Sequence, residues 1–168
     1  MDLNKYIRDV ENFPIDWVTF KDITPLLENP ESFKYTIDEI AKSIWDVDKI
    51  VWLDARGFLL AWALAYNLNK PLVIIRKSWK LPYEIITQKY KLEYWENSFD
   101  IHKDSIKPWD KVAIIDDLLA TWWTAKASIQ LIEKLWWEVA WLHFIVELWF
   151  LNWNELLDWY KINSLLRF

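Results

Sequence analysis

Gly57 is the only glycine in a chain of 168 residues that also holds fifteen tryptophans, and this imbalance limits how the backbone can turn. Tight turns and helix C-termini often need a residue at positive φ. Glycine adopts that conformation freely, whereas a bulky side chain adopts it at a cost of about 1–2 kcal/mol. The tryptophans stand where glycine is expected. Trp109 follows Pro108 in KPWDK, a tight turn whose type II form requires positive φ after the proline. Trp136 and Trp137 follow Leu135, where a helical stretch should end on a left-handed cap. Trp52, Trp79, Trp95, Trp122, Trp123 and Trp153 sit at strand ends or in polar loops. Read as glycine, they punctuate nearly every turn and bring the glycine content to an ordinary level of roughly 10%. The expectation is a gene from a lineage that reads UGA as glycine, translated here with a table that reads UGA as tryptophan.

Short apolar runs alternate with helical patterns along the chain. Residues 31–44 space Phe33, Ile37, Ile40, Ala41 and Ile44 at intervals of three and four, which predicts an amphipathic helix after Asn29-Pro30. The runs at 50–54, 72–76, 112–116 and 139–148 read as buried strands, with helices over 58–68 and 124–135 between them. That order predicts an α/β domain, a central parallel sheet with helices on both faces. Residues 78–110 break the rhythm, being polar, partly alternating in EIITQKYKLEYW, and too long for a plain connection. No repeat or linker divides the chain, so a single domain over 1–168 is expected.

Charge and motif content exclude several function classes. Twenty basic and 25 acidic residues are intermixed, with a net charge of −5, so there is no basic field for nucleic acid. The chain lacks cysteine, which removes thiol catalysis and Cys-based zinc sites and suits a reducing compartment. No apolar stretch reads as a signal peptide or membrane span; a cytoplasmic protein is expected. Neither GxxxxGK[ST] nor HExxH occurs, and His102 and His143 are isolated, which fits structural roles.

The stretch VAIIDDLLATWWTA, residues 112–125, carries the chemistry. It sets Asp116 and Asp117 at the carboxyl end of a buried strand, then a short loop, then a helix start, which is where open α/β sheets bind ligands. Small residues in that loop would let backbone N–H groups and the hydroxyls of Thr121 and Thr124 converge on a phosphate. The paired acids can accept hydrogen bonds from the vicinal hydroxyls of a sugar. With tryptophan at 122 and 123, two indoles would occupy the same nest.

This stretch resembles the ribose-phosphate signature of the type I phosphoribosyltransferases, departing where both signature glycines read Trp. The resemblance extends over most of the chain and is closest to the adenine-specific branch, through FKDITPLL at 20–27, LDARGFLLAWALA at 53–65, IRKSWKLP at 75–82 and YKLEYWENSFDIHKDSIKPWDKV at 90–112. At most of these sites the tryptophans fall on family glycines. The resemblance implies the type I phosphoribosyltransferase fold, with a small N-terminal hood over about 1–30 and a flexible catalytic loop within about 78–95. It also implies a homodimer in which adenine and phosphoribosyl pyrophosphate become AMP and pyrophosphate. Magnesium would arrive with the phosphoribosyl pyrophosphate, with no protein ligand of its own.

Site residues follow from the same resemblance. Asp116, Asp117, Ala120, Thr121, Trp122, Trp123 and Thr124 would hold the ribose and its 5′-phosphate. Asp54, Ala55 and Arg56 match the pyrophosphate loop, and Arg76, Lys77 and Lys80 match the basic segment that reaches pyrophosphate. Glu93 would handle the proton on adenine N7, with Tyr94 helping to close the site. Thr19, Phe20 and Lys21 match the hood that recognises adenine by stacking and main-chain hydrogen bonds; Lys21 stands where the family has arginine. Two rivals remain at this point: a transferase for another purine, and a catalytically silent phosphoribosyl-binding regulator if Trp122 and Trp123 are real.

Overall fold

In the computed structural model, residues 1–91, 96–120, 122–135, 138–149, 157 and 159–168 are described. A single-turn 3-10 helix (Leu3–Tyr6) leads into β1 (Arg8–Val10) and β2 (Phe20–Asp22), which pair antiparallel as a small separate sheet. Then come α1 (Thr24–Glu28), α2 (Pro30–Ser43), β3 (Lys49–Leu53), α3 (Gly57–Asn67) and β4 (Leu72–Lys77). The second half holds β5 (Ile85–Lys91), β6 (Glu96–His102), β7 (Lys111–Leu119), α4 (Trp122–Glu133), β8 (Glu138–Glu147) and β9 (Ile162–Arg167).

The main sheet runs in the order β5-β6-β4-β3-β7-β8-β9. The strands β4, β3, β7, β8 and β9 are parallel, and β5 and β6 form an antiparallel hairpin attached through β4. Their sequences explain the difference: IVWL of β3 and VAII of β7 are continuous apolar runs because both faces are covered, while IITQKYK alternates. The stretch expected as a flexible loop therefore includes a paired hairpin, apart from residues 92–95, which are not among those described.

Helices cover the two faces. Leu60 and Leu64 of α3 pack with Ile37 and Ile40 of α2 over Ile50 and Ile115. On the other face Ile129 and Ile132 of α4 pack with Val51, Ile114 and Leu142. Asn29 starts α2 by accepting hydrogen bonds from the Glu31 and Ser32 backbone N–H groups ahead of Pro30 at the first turn.

The described elements match the sequence expectation with two shifts that matter for the site. Strand β7 continues to Leu119, so Asp116 and Asp117 lie inside its carboxyl half and not at its end. The extension exists because β8 is long enough to pair beyond them, Leu118 with Val146 and Leu119 with Glu147. Strand β3, in contrast, stops pairing with β7 at Ile115. One flank of β7 is thus open from Asp116 onward, beside the chain that leaves β3. The second shift is that α4 starts at Trp122, not at Thr124.

Candidate active site

The open flank lies between β3 and β7, where the parallel order switches direction: β4 follows β3 on one side, and β7 lies on the other. In α/β sheets the crevice at this point, outside the carboxyl ends of the strands, is the ligand site. Gly57 begins α3 there. A Cβ at Gly57 would stand 2.8 Å from Asp116 Oδ1 and 2.8 Å from the Ile115 carbonyl oxygen, so only glycine lets α3 start this close to β7. The chain that crosses from β3 to α3 contains a cis peptide between Asp54 and Ala55.

Three charged groups line that crossing. The Arg56 Nε lies 2.9 Å from Asp117 Oδ2, and Asp117 is only 3% exposed. The angle does not make a hydrogen bond, so Oδ2 retains its accepting capacity. Burial raises the Asp117 pKa while the Arg56 charge opposes the rise, and the net effect is upward. For Asp116, burial followed by the neighbouring Asp117 charge pushes the pKa well above the usual carboxylate range. Two adjacent acids in one crevice that resist ionising together are what an acid pair awaiting hydroxyl donors or a cation should show.

Asp54 behaves in the opposite way. Burial raises its pKa, but the Arg76 hydrogen bond, the Lys80 and Arg76 charges and the Lys77 N–H together outweigh burial and lower it. Arg76 Nε donates to Asp54 Oδ2 at 3.1 Å, and Lys80 Nζ stands 3.6 Å from the same oxygen. Arg76 and Lys80 are therefore gathered at the start of the crossing, while the Lys77 side chain is exposed and only its backbone N–H points to Asp54, at 3.4 Å.

The small N-terminal sheet reaches the crevice through Phe20. The Arg56 guanidinium carbon lies 4.8 Å from the Phe20 ring centroid, and Phe13 meets Phe20 edge to face. Thr19 is exposed beside it. Lys21 turns its side chain elsewhere, pairing with Asp9 at 2.7 Å and lying over the Phe168 ring.

At the start of α4 the rings of Trp122 and Trp123 stack on each other at 3.8 Å, with the Lys126 ammonium 4.7 Å from the Trp122 ring. Ala120 and Thr124 flank them, half-buried. Thr121, Glu93 and Tyr94 lie outside the described residues.

Two further residues escaped the sequence reading. Asp100 is 1% exposed and accepts hydrogen bonds from Ser78 Oγ at 2.8 Å, Thr87 Oγ1 at 2.7 Å and the Trp79 backbone N–H at 3.2 Å. It ties the segment that bears Lys80 to the hairpin. Tyr90 stacks on Phe99, and burial followed by the Asp116 and Asp54 charges raises its pKa. The alternation in β5 and β6 shows which residues share a face, but not which partners from other segments these two meet.

No family model matches the chain. A curated adenine phosphoribosyltransferase of Clostridium botulinum is 47% identical over 170 residues, covering 100% of this chain and 99% of that protein. The crystal structure of adenine phosphoribosyltransferase from Thermoanaerobacter pseudethanolicus superposes with a TM-score of 0.95 at 41% identity, covering 99% of this chain and 98% of that one. The Trypanosoma brucei enzyme, solved in complex with AMP, pyrophosphate and ribose-5-phosphate, has a TM-score of 0.89 at 26% identity, covering 98% and 78% of the two chains.

Proposed function

The chain belongs to the adenine phosphoribosyltransferase family, enzymes that join adenine to the ribose of phosphoribosyl pyrophosphate and release AMP and pyrophosphate, and from that premise we propose how its residues divide the work. The observation that supports the division best is the meeting of Arg56, Asp117 and Phe20 at the open flank of β7.

Asp116 and Asp117 accept hydrogen bonds from the ribose hydroxyls, using the oxygen of Asp117 that has no hydrogen-bond donor. As the bond from the anomeric carbon to pyrophosphate lengthens, positive charge grows on the ribose, and carboxylates held against it favour that charge more than the ground state. The backbone of 120–124 and the Thr121 and Thr124 hydroxyls hold the 5′-phosphate at the N-terminus of α4. Arg56, Arg76, Lys77 and Lys80, with the main chain of Asp54 and Ala55, receive the departing pyrophosphate. Asp54 keeps Arg76 and Lys80 together until that anion binds.

Adenine stacks on Phe20 and is read by the main chain around Thr19 and Lys21. The Arg56 guanidinium covers Phe20, so adenine entry moves Arg56 from the ring toward the pyrophosphate. Glu93 handles the N7 proton, and Tyr94 helps exclude water from the ribosyl cation.

Among the described residues no three acidic or histidine side chains gather into a metal site. The hard oxygens of Asp116 and Asp117 suit magnesium delivered on the substrate's phosphates, where it would neutralise charge on the leaving group. A homodimer fits the exposed apolar face of α3, where Leu59 and Tyr66 are 50 and 86% exposed. A cytoplasmic location fits the absence of cysteine from the sequence.

The stacked indoles at 122 and 123 support a second reading for the chain as written, a binder of phosphoribosyl ligands that does not turn over. The test is AMP formation from adenine, phosphoribosyl pyrophosphate and magnesium by the parent protein and by Asp116→Asn and Asp117→Asn. Loss of turnover of about a hundredfold or more in folded variants supports the assignment. Unchanged kinetics in both would remove the acids from the site.

A further inference from the structure

Among the described residues seven non-glycine residues adopt positive φ, and three of them are tryptophans: Trp17 at 66°, Trp79 at 70° and Trp109 at 74°. Three of the others are Asn12, Asp46 and Asn69, of the residue types that tolerate this region, and the seventh is Tyr83. A bulky residue at such a φ is a strained choice that packing normally compensates. Here it does not, since the three tryptophans are 91, 99 and 92% exposed.

Hydrogen bonds that need no indole set these conformations. The Asp110 N–H donates to the Lys107 carbonyl at 3.1 Å, closing a turn with Pro108 second and Trp109 third. That third position with positive φ defines a type II turn and favours glycine. The Trp17 N–H donates to Asn12 Oδ1 at 3.0 Å and the Trp79 N–H to Asp100 Oδ2 at 3.2 Å.

Several other tryptophans likewise make little use of the indole, although Trp62 lies within α3 and Trp149 is met by the Arg167 guanidinium. Trp159 stands 92% exposed in a turn. Trp52 is buried at 8%, yet its Nε1–H has no acceptor, unlike a normal buried indole. Trp122 and Trp123 stack on one another at the start of α4. Trp45 and Trp141 do interlock, edge to face, with Trp141 Nε1 donating to the Trp45 carbonyl, but Trp45 is 58% exposed and lies in the loop before β3. Glycine at both would remove this contact and the part of Trp141 that packs against the core.

We propose that the organism making this protein decodes the codon behind these tryptophans, UGA, as glycine, so that the native chain carries glycine at all fifteen positions. A codon is read uniformly, so positions with no conformational demand for glycine, such as 45 and 141, change along with 17, 79 and 109. Glycine at 122 and 123 removes both indoles from the first turn of α4. This consequence for the site rests on the phosphate reading above; the decoding itself does not.

The test is mass spectrometry of the protein recovered from its source organism, with labelled standards of tryptic peptide 112–126 in its glycine and tryptophan forms. The expected result is co-elution with the form carrying glycine at both 122 and 123, together with no indole absorbance from the intact native protein. A native peptide carrying tryptophan at either position, or indole absorbance matching fifteen residues, overturns the proposal. Activity is not used in this test, so failure of the enzyme assignment and failure of the decoding are distinguishable.

Discussion

Arg56 and Asp117 meet across the open flank of β7, with Nε 2.9 Å from Oδ2, and so join the crossing after β3 to the acid pair on the next strand. The arginine side chain is 42% exposed and the aspartate only 4%. Arg56→Ala leaves a buried acid without its counter-charge, and loss of such a partner costs about 1–3 kcal/mol. The expected outcome is a lower denaturation midpoint together with a raised KM for phosphoribosyl pyrophosphate. Arg56→Lys should recover stability better than KM, because an ammonium restores charge but not the planar fork.

Gly57→Ala places a Cβ 2.8 Å from both Asp116 Oδ1 and the Ile115 carbonyl oxygen. Backbone cannot give way cheaply here, since β7 is held on its other side by β8. Overpacking of this kind costs about 1–3 kcal/mol. Urea denaturation should show the loss, and kcat/KM should fall beyond it because Asp116 is displaced. An unchanged midpoint would mean that α3 can start elsewhere.

His143 is 1% exposed on β8, its Nε2 has no partner, and burial lowers its pKa from 6.5 to about 4. Between those values the unfolded chain binds a proton that the folded protein does not, so stability rises with pH across that window. The contribution is fully present above about pH 6.5 and amounts to about 3 kcal/mol, at about 1.4 kcal/mol per unit. The raised pKa values of Asp116 and Asp117 act with the opposite sign, favouring the folded state at low pH. The measurement is therefore the difference between the parent and His143→Asn, which should flatten with pH above 6.5 and shrink as pH falls to 4.

For Glu93→Gln the expected change is in the chemical step. Removing a general acid or base typically lowers kcat by about a hundredfold to ten-thousandfold. KM for phosphoribosyl pyrophosphate should hold, and the pH profile of kcat should lose one limb. A variant with unaltered kcat would release Glu93 from its proposed role.

The strands β3, β4, β7 and β8 were legible because burial on both faces leaves a nearly continuous apolar run. The helices α2, α3 and α4 were legible from spacing and from the breakers around them. Strand β9 was not: INSLLR is mixed in polarity and mostly half-buried, and its place is fixed by pairing with β8, far away in the chain. The positive φ at Trp109 was foreseen from the preceding proline, since turn chemistry is local. Asp54 holding Arg76 and Lys80, and Asp100 holding Ser78 and Thr87, join residues of different segments. No window of sequence contains such pairs. The acids at 116 and 117 stood out through their flanking residues, but the open flank that makes them a site comes from where β3 stops pairing.

On the proposed reading, the crevice between β3 and β7 transfers a phosphoribosyl group to adenine. The most direct test of that transfer is steady-state AMP formation with magnesium by the protein carrying glycine at all fifteen tryptophan positions, with hypoxanthine and guanine as competing bases. Adenine should be turned over with a kcat/KM exceeding that for the other bases by at least about a hundredfold. A folded protein that binds phosphoribosyl pyrophosphate yet forms no AMP, or one that prefers another base, would contradict it.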